Sequence, residues 1–114
     1  MSNFKAIIDL FGFTEEGAAQ FLSVDQEQIS RWCNTAESPP VEIWQALVSL
    51  FDKIRFAAED AAKSADLDHL EASDLNRIAL IVPDNLPGEA GIDPTGPRRA
   101  ATAMAVTSLA RVFV

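Results

Sequence analysis

The sequence contains one cysteine, Cys33, and one histidine, His69. A lone cysteine has no partner for an internal disulfide and cannot build a cysteine-based metal site. A lone histidine gives little support to a zinc centre or a histidine-assisted nucleophile. Basic residues are scarce as well: nine Lys and Arg stand against seventeen Asp and Glu, for a net charge of −8. The deficit is even along the chain, since residues 1–57 and residues 58–114 each net −4. There is therefore no basic arm or basic domain of the kind that holds phosphate backbones through counterion release. No apolar run is long enough for a membrane span. The opening MSNFKAIIDLFGF has neither a basic start nor a small-residue cleavage site, so no secretory signal is expected and a cytoplasmic, membrane-free protein is the default reading.

What is present is a foldable composition. Of 114 residues, 48% are hydrophobic, enough for one small core, and 23% are charged, which is not a disordered composition. Phe4, Ile7, Ile8 and Phe11 recur at helical spacing, which predicts a short helix over residues 3–11 that ends at Gly12. Thr14 is placed to cap a second helix, with Glu15 and Glu16 in a first turn that favours carboxylates. That helix is expected to run to Leu22. Ser23 and Val24 form a tight turn, and Asp25 with Gln28 reads as a capping box for a third helix that ends near Asn34.

Pro39 and Pro40 introduce a long fourth helix over residues 41–63. Its expected stripe is Ile43, Leu47, Leu50, Phe51 and Ile54, widened by Trp44 and Val48. Beyond Phe56 it becomes a weakly hydrophobic tail. A helical turn is expected within 67–75, a strand at 76–82 (NRIALIV), a Pro- and Gly-rich loop after it, and a last helix from Pro97 to about Val112.

The stretch TEEGAAQFLSVDQEQISRWCN carries the pattern of a helix-turn-helix. Ala19 is the small residue where two helices would cross, and Leu22, Val24, Ile29 and Trp32 would lock them together. Gln26, Glu27, Gln28, Ser30 and Arg31 remain as polar positions on the third helix. Gln and Arg have the bidentate geometry that matches adenine and guanine edges.

Residues 4 to about 55, through LFGFTEEGAAQFLSVDQEQISRWCN and the helix opened by two prolines, resemble the lambda-repressor-like (Cro/XRE-type) helix-turn-helix regulators. The resemblance implies that Gln26, Glu27 and Arg31 reach bases and that Asn34 touches phosphate. Two positions depart from the family pattern. Glu15 stands where a phosphate-binding Gln is common, and Thr35 stands where a glycine is common. More distantly, residues 76–112 resemble the tails through which small YdiL-like and anti-CRISPR-associated regulators dimerise.

The expected fold is mainly α: a helix-turn-helix domain over 1–66, with a dimerisation appendage of strand, loop and Ala-rich helix over 67–114. The appendage reading rests on RRAATAMAVTSLARVFV, which puts apolar residues on nearly all sides of a helix and so asks for burial on all sides. A twofold copy would supply that cover, and a third layer in a compact monomer is the alternative. The expected function is a transcriptional regulator, a repressor, binding a double-stranded DNA operator as a homodimer, with no cofactor, metal or catalytic residue.

An acidic protein-interaction module or antitoxin-like adaptor on the same scaffold is the competing class. An enzyme is a distant third, because no nucleophile–base pair is visible. The charge over the outer face of the third helix separates the first two: Arg31, Lys53 and Arg55 as a local positive patch favour DNA, whereas Glu15, Glu27 and Glu37 dominating the face favour a protein partner. Cys33 reads as a small buried hydrophobe, His69 as a surface residue, and the pairs Glu15–Glu16 and Glu59–Asp60 as cap and solvated face. Arg98 and Arg99, at the start of the last helix, read as partners for carboxylates.

Overall fold

The structure is a computed structural model and describes residues 2–78, 80, 82 and 95–114. The chain is mainly helical. Among the described residues there are five α-helices: α1 (Asn3–Leu10), α2 (Glu15–Leu22), α3 (Gln26–Asn34), α4 (Val41–Lys63) and α5 (Thr95–Ala110). Short 3-10 turns occur at Ala72–Asp74 and Arg111–Phe113.

Local chemistry sets the helix starts. The Ser2 hydroxyl accepts from Lys5 N at 3.1 Å, capping α1, and donates to the carbonyl of Trp32 at 2.7 Å, tying α1 to the end of α3. The Thr14 hydroxyl accepts from Gly17 N at 3.0 Å and caps α2. Pro40, extended at ψ 164°, opens α4. The expected capping box of α3 does not form. Asp25 makes no side-chain cap bond, and the Gln28 side chain is drawn away to Glu37.

One core joins all five helices. Phe4, Ile8 and Phe11 of the α1 segment, Ala18 of α2, and Ile29, Trp32 and Cys33 of α3 meet the inner face of α4. Phe4 meets Trp32 edge to face at 5.5 Å, a favoured aromatic geometry. Phe13 stacks on Phe21 at 5.4 Å, pinning the α1–α2 turn to α2. Ala18 is the fully buried small residue of α2, while Ala19 is only partly covered.

The inner face of α4 differs from the expected stripe. Ile43, Leu47, Leu50 and Ile54 are buried, and the burial continues through Ala57, Ala58 and Ala61. Phe51 is instead 40% exposed and Val48 58% exposed. The alanine tail is buried because α5 packs along α4, with Gly96, Pro97, Ala101, Ala105 and Leu109 inward. Small residues on both sides of such a seam let two helix axes come close.

The outer side of α5 carries Arg99, Thr102, Ala103, Thr107 and Ser108. Thr102 and Thr107 return their hydroxyls to carbonyls of their own helix, at 2.9 and 2.7 Å.

The start of α5 rests on the α1–α2 turn, backbone against backbone. Gly12 has φ +76°, and a Cβ there would fall 2.8 Å from the Gly96 Cα. A Cβ on Gly96 would fall 2.5 Å from the Gly12 carbonyl oxygen.

The strand expected at 76–82 is not found among the described residues. Asn76 and Arg77 continue a turn, with Arg77 N and Ile78 N both bonded to Asp74 O. Leu80 and Val82 are irregular and pack against the core. Residues 79 and 81, and residues 83–94 where a Pro- and Gly-rich loop is expected, lie outside the described residues.

Candidate nucleic-acid interface

The polar residues of α3 are arranged by the helical period. Ile29, Trp32 and Cys33 are buried, so Glu27, Ser30, Arg31 and Asn34, at i, i+3, i+4 and i+7, share the opposite side. Gln26 is exposed in the first turn, and Gln28 lies half-buried on the flank. A three-residue turn joins α2 to α3. Ser23 takes the left-handed conformation (φ 57°), and Val24 N bonds to Ala19 O at 3.1 Å. The six expected contact residues are thus on one short helix, but they form separate groups.

Ser30 and Asn34 form one group. The Asn34 amide donates to the Ser30 carbonyl at 2.9 Å and to its hydroxyl at 3.2 Å. Gln28 and Arg31 form another, together with Glu37 from the loop after α3. The Gln28 amide donates to the Glu37 carboxylate at 2.9 Å. Arg31 Nη2 donates to the Gln28 amide oxygen. Arg31 Nε lies 3.8 Å from the same carboxylate.

The loop that delivers Glu37 begins at Thr35, which leaves the helix in an extended conformation (φ −130°). A glycine is not required there, because φ is negative. The Thr35 hydroxyl donates to the Arg31 carbonyl at 2.6 Å and accepts from Glu37 N at 3.2 Å. Thr35 therefore ties the start of this loop to the last turn of α3. Sequence analysis noted Glu37 as a charge but not as a partner of Gln28 and Arg31. A loop residue has no periodicity that would reveal such a pairing.

The electrostatics of the face are acidic. Glu27 is exposed beside Arg31, whose charge is already met by Glu37. Arg55 pairs within α4, 3.8 Å from Asp52 and 3.9 Å from Glu59, and lies over the Phe56 ring. Its charge is thus met by carboxylates of its own helix. Glu15 is half-buried in the first turn of α2, and its charge acts on both Lys5 and Cys33. The Cys33 thiol is pushed above its usual range, first by burial and then by Glu15.

Among the described residues no group of three or more His, Cys, Asp or Glu is placed to hold a metal ion. None of the described helices is long and apolar enough to cross a membrane. No protein-family model, curated protein or solved structure matches this chain.

Proposed function

We propose that this chain is a sequence-specific DNA-binding transcriptional regulator, a repressor acting as a homodimer, in which α2, its turn and α3 form a helix-turn-helix and α3 is the recognition helix. The observation that carries this reading is the two-sidedness of α3. Its apolar side is fixed in the core by Ile29, Trp32 and Cys33, and its polar side presents Gln26, Ser30, Arg31 and Asn34 on a rigid element. Those side chains are the ones suited to base edges and phosphates. With so few cations, affinity must come from direct base contacts doubled by a second copy, not from phosphate neutralisation.

The test is selection of duplexes from a randomised pool by the full chain, followed by gel shift. The expected outcome is an inverted repeat with half-sites about 10 base pairs apart, bound far more weakly by Arg31→Ala. No enriched sequence, or equal binding by Arg31→Ala, overturns the reading.

A second reading, an acidic protein-interaction module of the antitoxin or adaptor kind, is favoured by one observation. Arg31, the only Lys or Arg between residues 14 and 37, already faces a carboxylate, and Glu27 stands exposed on the same side. On that reading no duplex is retained even at low salt.

A further inference from the structure

The side chains that would read DNA are held before any DNA arrives. Arg31 turns its Nε edge toward Glu37 and its Nη2 toward Gln28, while Gln28 gives its amide to the same carboxylate. Glu37 is in turn fixed by its own backbone N–H on the Thr35 hydroxyl. Three side chains from a helix and the following loop therefore act as a unit with no net charge: Arg31 cancels Glu37, and Gln28 bridges them.

We infer that Glu37 is a positioning residue that sets DNA specificity: it orients Arg31 toward base edges and cancels the charge that would otherwise let Arg31 settle on any phosphate. The inference rests on the DNA-binding reading above.

To bind a lone phosphate, Arg31 trades one exposed anion for another and gains little, because such exposed pairs are weak. A guanine edge offers two acceptors in the plane of the guanidinium. Nη2 carries two hydrogens, and Nη1 is the far arm of the same fork. Holding the Nε edge against Glu37 leaves that terminal fork available to the two acceptors. The contact with Gln28 and the contact with a base are compatible, so the base adds to the arrangement instead of replacing it. An acidic protein with one relevant cation on each recognition helix gains selectivity this way by suppressing the wrong sites.

The experiment compares wild type, Glu37→Gln, Arg31→Ala and the double variant, each as full chain with its melting curve checked. Two probes are used: a fixed random-sequence duplex and the duplex selected from the randomised pool. Glu37→Gln is expected to bind the random duplex about two- to fivefold more tightly, the scale of losing one exposed opposing charge. Its log affinity should also fall more steeply with log salt. Its preference for the selected duplex should shrink by a similar factor. In the Arg31→Ala background the same change should have little effect.

If Glu37→Gln matches wild type on both probes while Arg31→Ala loses the selected duplex, the inference is overturned and the DNA reading stands. If Glu37→Gln tightens random binding equally with and without Arg31, the effect is general charge and the inference is again overturned. If no form retains either duplex, the DNA reading fails and takes the inference with it.

Discussion

Replacing Gly96 with alanine tests the contact that joins the last helix to the rest of the fold. The new Cβ would lie 2.5 Å from the Gly12 carbonyl oxygen, 2.7 Å from the Gly12 carbonyl carbon and 2.9 Å from the Phe11 carbonyl oxygen. Ordinary contact begins near about 3.5 Å, so the two segments must separate by most of an ångström. Neither can yield by rotating a side chain, since every near atom is backbone. The turn itself is held by Gly12 N on Asp9 O at 3.0 Å and Phe13 N on Ile8 O at 2.9 Å. Overpacking costs about 1–3 kcal/mol, and a rigid neighbour puts this case in the upper half. Pro97 adds to it, because a Cβ on the residue before proline crowds the ring in helical backbone.

A loss of about 2 kcal/mol is expected, or a fall in melting temperature of roughly 8 °C at this size. Gly12→Ala should cost more, about 3 kcal/mol, since the left-handed backbone at φ +76° adds its own penalty to the clash. Because one separation relieves both clashes, the double variant should lose less than the sum.

Gly17→Ala is the control. Its Cβ would meet the Thr14 hydroxyl at 3.3 Å and Phe13 at 3.5 Å, and the site is helical, where alanine gains up to about 1 kcal/mol over glycine. Its melting temperature should hold or rise. Thermal unfolding followed by circular dichroism measures all four variants. If Gly96→Ala melts within about 2 °C of wild type, the start of α5 is not seated on the α1–α2 turn and the reasoning fails.

Two further predictions concern α3. Trp32→Ala should remove about 3–5 kcal/mol, because it deletes a large buried ring packed against Phe4. Arg31→Ala should leave the melting temperature nearly unchanged, since its ion pair is exposed; equal losses in the two would invert the faces assigned to this helix. Cys33 is 2% exposed and its thiol pKa is raised by burial. A disulfide reagent at pH 8 should therefore label it only as fast as the chain opens, with a rate that climbs through the urea unfolding transition. Immediate labelling of the native protein would place Cys33 outside the core.

The helices that were legible in the sequence are those with chemical punctuation. Thr14 capped where a threonine before two glutamates should cap. Gly12 ended α1, and the paired prolines introduced α4. The inner face of α3 followed from Ile29 and Trp32 at helical spacing. Three things were not legible, each for a physical reason.

The alanine tail of α4 looked weak because alanine carries little hydrophobic signal, although a helix pair at close range selects for it. The segment at 76–82 looked like a strand because a short aliphatic run has no period of its own. Of its described residues, Leu80 and Val82 instead pack against the core from irregular backbone. The Asp25–Gln28 box failed because Gln28 has a charged partner nine residues away. That same long-range pairing hid the role of Glu37 in the candidate site. α5 also looked apolar on nearly all sides because Ala, Met, Val and Leu dominate its sequence. Its outer side instead carries Arg99, Thr102, Thr107 and Ser108 around Ala103, with two of the hydroxyls satisfied by their own helix.

The seam between α4 and α5 makes sequence drift directional. Ala58, Ala61, Ala101 and Ala105 sit where two helices touch through methyl groups, so nearly every available substitution adds volume and pushes the pair apart. Few changes there can be absorbed one at a time. The outer side of α3, by contrast, carries exposed side chains at Gln26, Glu27 and Arg31 that can be exchanged without repacking the core. A lineage descending from this sequence would keep its alanines while rewriting Gln26, Glu27 and Arg31, and so change the surface it presents without first having to survive a loss of fold.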